Sequence, residues 1–250
     1  MDAEVEVPRT AFPPVPPVSR SIRPGPRVQS LGLRVVAAKV RRRLWSTRRS
    51  IAVVRQLDVE RSLPDDGMWI EFVTADSFAT LSELVETALG VEYLYVRPIE
   101  RTRRARAGVL SVAHHGDGRL MAFHFIHETQ DYEALERVAP QMYPRMKADE
   151  VLTEAVYCLP AFRGRAVAAR LLQETGARLA RIGKRRAWAY LDTTNVAALR
   201  MFNRAGYAPS GEERIDRYRL GRFSTDFRDL APATRAEWEA VIAGARRDDF

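Results

Sequence analysis

Leu159-Pro160-Ala161-Phe162-Arg163-Gly164-Arg165-Ala166-Val167-Ala168-Ala169-Arg170-Leu171-Leu172 is the stretch on which the reading of this chain turns. Ahead of it, Glu154 to Leu159 is a short β-rich run that alternates Val156 and Cys158 onto one face. Pro160 ends that strand by removing a ladder donor, and Gly164 lets the backbone bend where a side chain would intrude. From there Val167, Ala168, Leu171, Leu172, Leu179 and Ile182 recur at helical spacing, and Gly183 stops the helix. The first turn of such a helix has N–H groups without helical partners, at the positive end of the dipole. Small residues at 164, 166 and 168 open that end to a diphosphate, and Arg163 and Arg165 add full charges.

A second stretch follows, Asn195-Val196-Ala197-Ala198-Leu199-Arg200-Met201-Phe202-Asn203-Arg204-Ala205-Gly206-Tyr207. The strand before it is Arg186 to Leu191, and Asp192 and Asn195 are turn and N-cap residues. Ala198, Leu199, Phe202 and Ala205 line one face of a short helix that Gly206 closes.

The pair resembles the GNAT (GCN5-related N-acetyltransferase) superfamily of acyl-CoA-dependent enzymes. Its first motif, a strand, Pro, an aromatic and Gln/Arg-x-x-Gly-x-Gly/Ala, is matched by Arg163, Gly164, Arg165, Ala166, Val167 and Ala168. Its second, Asn-x-x-Ala with a later aromatic and Gly-Phe/Tyr, is matched by Asn195, Ala198, Phe202, Gly206 and Tyr207. The resemblance is strong over residues 150–210 and extends over 68–222. Two positions depart from the pattern. Ala166 stands where the family most often has Gly, and Phe202 stands where many members carry a Tyr that protonates the departing thiolate.

The resemblance implies a mixed α/β fold of GNAT type. Its sheet is central, mostly antiparallel and twisted, flanked by helices, with strands splayed at the cofactor. It also implies direct acyl transfer from acetyl-CoA, or another acyl-CoA, to a primary amine. Val156, Tyr157 and Cys158 would lend backbone groups to the pantetheine arm, and a free N–H in the splay would hold the developing oxyanion. The segment 163–168 would hold the diphosphate, with Asn195 and Phe202 on the arm's other side. Glu154 is the first choice of general base, because its parity places it on the face of Val156 and Cys158. Asp192 and His124 are weaker choices, and Cys158 reads as packing rather than as a nucleophile.

Charge divides the 250 residues unevenly. The net charge is +8; residues 1–50 hold 11 Lys/Arg against 3 Asp/Glu, and the remaining 200 hold 29 of each. Residues 1–28 are Pro-rich and read as a disordered extension, and 29–48 as a basic helix, either docked by its apolar edge or facing an anionic surface. The expected acyltransferase body is 50–222, followed by a helical tail over 223–250. Within the body the expected order is strand 50–57, turn 65–67, strand 69–74, helix 76–88, basic loop 101–106, hairpin 109–127 and helix 131–138. The Pro140–Pro144 segment is expected to wall the acceptor pocket.

Hydrophobic residues make up 46% of the chain, enough for a core. No apolar run approaches the roughly 20 residues that span a bilayer, and no secretory leader is visible at the N-terminus. One cysteine forms no internal disulfide and fits the cytoplasm. His124 and His127, three apart on a strand, face opposite sides, and no metal-ligand set is apparent. A binding module that holds CoA, with the basic arm reaching a membrane or nucleic acid, is the alternative to an enzyme. The oligomeric state is open, with a homodimer among the possibilities.

Overall fold

Short alternating runs separated by turn residues build one sheet. A computed structural model describes residues 45–58, 68–74, 93–220 and 222–248. Its strands are β1 (Trp45–Gln56), β2 (Trp69–Thr74), β3 (Val109–His114), β4 (Leu120–Glu128), β5 (Glu150–Cys158), β6 (Arg186–Asp192), β7 (Ala208–Arg219) and β8 (Arg222–Asp229). Their order across the sheet is β2-β3-β4-β5-β6-β1-β7-β8. The β5–β6 ladder is parallel and the other six are antiparallel. The parallel β5–β6 pair needs a crossover connection, which the helix of the first motif supplies. The helices are α1 (Tyr93–Ala105), α2 (Tyr132–Val138), α3 (Val167–Arg181), α4 (Val196–Arg204) and α5 (Pro232–Asp248). This is the mixed α/β architecture that the two motifs imply.

Strand parity gives the sheet two faces. On one, Ile51, Val53, Ile126, Val151, Ala187, Ala189 and Leu191 pack against Leu172 and Leu179 of α3, Leu199 and Phe202 of α4, and Trp238 of α5. Each large side chain buried there contributes roughly 1.5–3 kcal/mol. On the other, Leu110, Val112, Phe123, Phe125 and Tyr157 form one cluster, with Ile99 of α1 against it. Leu135, Tyr143 and Leu152 form a second, flanked by Trp188 and Tyr190.

Three expectations are corrected. The basic run 101–106 is not a loop, since residues 101–105 are the last turns of α1. Thr102 is fully buried and Arg101 turns inward, while Arg103 and Arg104 sit in the last turn, where the helix dipole favours cations. Residues 222–229 are a strand, not part of a helical tail. Phe223, Thr225 and Phe227 alternate onto its half-buried side, but β8 is an outer strand and every other position in it is polar or charged. Finally, β1 begins at Trp45, so residues 45–48 are strand because they pair with Arg219 to Asp216 of β7. The rest of the expected basic helix, the Pro-rich segment 1–28, the turn 65–67 and the helix 76–88 lie outside the described residues.

Candidate active site

Strands β5 and β6 pair over three positions only, Glu150↔Arg186, Val151↔Ala187 and Leu152↔Trp188. Beyond Leu152 the two strands part, and the backbone groups of β5 that face β6 lose their ladder partners. At the same place β5 carries a bulge. Phe123 of β4 opposes Tyr157 and Phe125 opposes Glu154, so two residues, Ala155 and Val156, stand against His124 alone. Ala155 takes the left-handed conformation, φ +53°. For a residue with a Cβ this costs roughly 1–2 kcal/mol, which the ladders on either side of the bulge offset.

The bulge reverses the parity used for Glu154. Paired residues share a face, so Glu154 lies with Phe125 and Tyr157, and not with Val156 and Cys158. There it enters a polar cluster. Arg101 Nη2 lies 2.5 Å from Glu154 Oε1, the Tyr143 hydroxyl donates to Oε2 at 3.1 Å, and His127 Nε2 stands 3.3 Å from Oε2. Burial opposes ionisation of Glu154, but the charge of Arg101, then the contact with His127 and the more distant Arg214, outweigh it and hold the carboxyl down at about 2. A carboxylate bound this firmly to a cation is a weak proton acceptor near neutral pH. Burial and the Glu154 charge push the Tyr143 hydroxyl up.

The mouth at the start of α3 is built as the sequence suggests. Pro160–Phe162 forms a 3-10 turn, and Phe162 plugs into the core. Gly164 has φ +78°, and a Cβ there would meet nothing within 4 Å, so the turn borders open space. Ala166 precedes the helix with φ +56°, a conformation that explains why glycine suits this position. Arg170 donates to the Ala166 carbonyl at 3.0 Å as the helix begins, leaving the N–H groups before it for an anion. Arg163 is not simply a free charge. Its Nε donates to the Cys158 carbonyl at 3.1 Å, its Nη2 to the Tyr157 hydroxyl at 3.3 Å, and its guanidinium lies over the Tyr157 ring. Arg165, Gly164 and Ala166 are exposed, while Val167 and Ala168 are buried at the helix start.

The remaining expected residues fall in distinct places. Asn195 is exposed and caps α4, its Oδ1 accepting from the Ala198 N–H at 3.1 Å. Phe202 is not on an open surface; it is in the core, edge-on to Tyr207 at 4.9 Å between ring centres. Tyr157 is buried with its hydroxyl towards Arg163. Cys158 is half-buried, and burial pushes its thiol up, which disfavours the thiolate. Asp192 is tied to Arg48 at 2.9 Å and to Thr194, and so is a turn residue. His124 is buried on the α3 side, 3.1 Å from Thr175 Oγ1, and burial drives it down to about 3, so it stays neutral. His127 faces the other way, as its spacing requires.

Residues 83–207, half of the chain, match the model of the acetyltransferase (GNAT) family. The chain belongs to the GNAT family. The chain is also similar to solved structures. A GNAT-family protein of Novosphingobium aromaticivorans is 19% identical, with 74% of this chain and 66% of that one covered and a TM-score of 0.46. A GCN5-related N-acetyltransferase of Sphaerobacter thermophilus is 19% identical, with 81% and 57% covered and a TM-score of 0.47. A GNAT acetyltransferase of Brucella melitensis, solved with acetyl-CoA, is 18% identical, with 66% and 97% covered and a TM-score of 0.40. The chain thus spans less than two thirds of the length of the first two. No curated protein matches it.

In this GNAT chain the face opposite α3 holds groups that the motifs do not announce. Arg101, His127, Tyr143, Tyr190, Glu212 and Arg214 come from α1, β4, the α2–β5 connection, β6 and β7. Strand parity was the available signal for Tyr190, which shares the face of Trp188. Nothing local marks Glu212, whose position depends on a β7 bulge. Tyr143 of the Pro140–Pro144 segment lies on this face, where its hydroxyl meets Glu154.

Proposed function

We propose that this GNAT domain transfers an acyl group, acetyl in the first instance, from a CoA thioester to a primary amine by direct attack. The splay of β5 from β6 beyond Leu152 and Trp188 carries the reading. It leaves a slot lined by backbone groups of Val156, Tyr157 and Cys158, with the α3 mouth at one end. Gly164, Arg165, Ala166, Val167 and Ala168 would hold the diphosphate there, and Arg163 would brace the turn from Tyr157. Asn195, at the head of α4, would face the arm across the slot. Phe202 would support that wall from behind. The bound thioester supplies the electrophilic carbon; the protein orients it, offers N–H groups to the developing oxyanion and shields it from water.

The body acts without a metal in this reading, and the cytoplasm suits an acyl-CoA user. Among the described residues no helix is long and apolar enough to cross a membrane. The second reading, a CoA-binding module with a basic arm for an anionic surface, draws on Phe202, which has no proton to give, and on Glu154, which is bound to Arg101.

Two measurements separate the readings. Calorimetric titration with acetyl-CoA should show binding at micromolar levels, and thiol release should follow on addition of glucosamine, spermidine or a lysine peptide. Removal of residues 1–42 should leave turnover intact under the enzyme reading. Binding without thiol release from any of the three acceptors would favour the module instead.

A further inference from the structure

On the acceptor face, β6 and β7 bring together a pair that the packing alone does not require. Tyr190 is two residues past the last β5–β6 pair, Leu152↔Trp188, so it flanks the slot opposite Glu154 and on the same face. Its hydroxyl donates a very short hydrogen bond to Glu212 Oε1. These residues are two strands apart, with β1 between them. They meet because β1 presents only Ala52, which pairs with Tyr190. They meet also because β7 bulges at that point. Ile51 opposes Glu213 and Val53 opposes Pro209, so Ser210, Gly211 and Glu212 stand against Ala52 alone. Gly211 takes φ +97°, and Ser210 Oγ donates to the Ala52 carbonyl at 3.1 Å, which fixes the bulge. Bulges of this kind re-aim a side chain beside a site. Here the re-aimed side chain is Glu212, and its target is the Tyr190 hydroxyl, which reaches it across β1.

Glu154 and Glu212 therefore differ in their partners. Glu154 is paired with the Arg101 cation, whereas Glu212 meets the neutral phenol of Tyr190. Around the phenol, Arg214 of β7 lies over the ring at 5.1 Å and reaches the Met142 carbonyl at 3.5 Å, and Phe227 of β8 abuts its edge at 5.5 Å. The ring is held, and both Tyr190 and Glu212 remain partly open to solvent.

We infer that Tyr190 and Glu212 form the proton relay of the transfer, Tyr190 touching the acceptor amine and Glu212 receiving the proton through it. The inference rests on the acyl-transfer reading above. The amine enters as its free base, and its nitrogen forms a bond to the thioester carbon. The N–H proton passes to the Tyr190 oxygen as the hydroxyl's own proton passes to Glu212. The C–S bond then breaks, and the proton returns through Tyr190 to the departing thiolate. The net products are the amide and the free thiol, with both side chains restored. Tyr190 thereby supplies the hydroxyl that Phe202 lacks.

The test uses the full chain with acetyl-CoA and the three acceptors named above. Tyr190→Phe and Glu212→Gln should each lower kcat about 100-fold, within the 10²–10⁴ range of a positioned acid or base, with KM for acetyl-CoA and its calorimetric Kd unchanged. The double variant should lose little more than either single one, because the two act as a unit. Retention of kcat within about twofold in either single variant, or an unchanged kcat with a raised KM, would overturn the relay while leaving the acyl-transfer reading in place. Absence of thiol release from the unaltered chain, with acetyl-CoA bound, would overturn both.

Discussion

His124 and His127 lie three positions apart on β4, and their two surroundings treat polar groups in opposite ways. On the α3 side, His124 is sealed in as a neutral ring against Thr175, whose hydroxyl also meets Ser111 at 2.8 Å. On the α1 side, His127 is equally buried but lies beside an ionised Glu154, with Arg101 and Tyr143 around it. Around His124 the α3 face pairs polar groups with neutral partners; towards β7 the same face carries the buried Glu213, 2.6 Å from Arg228. The other face keeps charge beside the opening between β5 and β6. Low dielectric strengthens both arrangements, but only the second can interact with a reacting ligand.

Acid titration separates the two faces most strongly. His124 falls from its ordinary 6.5 to about 3 on folding. A depressed value means the unfolded chain binds the proton first, so this stability is present above pH 6.5 and is lost as pH falls towards 3. The loss is on the order of 5 kcal/mol at roughly 1.4 kcal/mol per pH unit. In equilibrium urea unfolding at stepped pH, His124→Gln should remove the loss between pH 6 and 4. An unchanged slope there would dissolve the distinction drawn for this face.

The Glu154 window is lower. Its carboxyl drops from 4.5 to about 2, so its contribution is intact above pH 4.5 and fades between 4.5 and 2, by roughly 3 kcal/mol. Arg101→Met strands the carboxylate and should cost about 3 kcal/mol at pH 7 by chemical denaturation, while flattening the profile below pH 4.5. A loss under about 1 kcal/mol would mean that the pair is a surface contact only.

Gly108 supports the same cluster from below. It has φ +85°, and a Cβ would stand 2.6 Å from His127 Nδ1 and 2.8 Å from the Ile126 carbonyl. Gly108→Ala should therefore cost about 2 kcal/mol in thermal or urea unfolding. At the α3 mouth the effect is smaller and of opposite sign. Ala166→Gly relieves a left-handed alanine, which should add about 0.5–1 kcal/mol and tighten acetyl-CoA binding in calorimetry.

The same contrast explains what the sequence disclosed. The α3 face is written in contiguous runs, Leu159–Leu172 and Asn195–Tyr207, where turn residues and helical spacing sit side by side. Strand β5, the mouth and the α4 cap were legible for that reason, and the expected splay is present. The α1 face is assembled from residues as far apart as Arg101 and Arg214, and chain order gives no sign that they meet. Alternation failed for Glu154 because a bulge at Ala155 adds one residue to the count, and the pattern Thr153-Glu154-Ala155 carries no glycine to announce it. The arginine-rich run 101–106 reads as a loop, yet Arg101 pairs with Glu154 of β5 and Thr102 is buried, so one side of the segment packs on the sheet as a helix. Strand β8 escaped notice because its alternation is only Phe223, Thr225 and Phe227, set among polar and charged residues.

Hydrogen–deuterium exchange of the full chain, with and without acetyl-CoA, tests the central claim most directly. The account predicts slowed exchange at the amides of residues 153–158, on the splayed half of β5, and of 164–169, at the start of α3, with little change in β2 and β3. Exchange that is unaltered in both segments at saturating acetyl-CoA would contradict it.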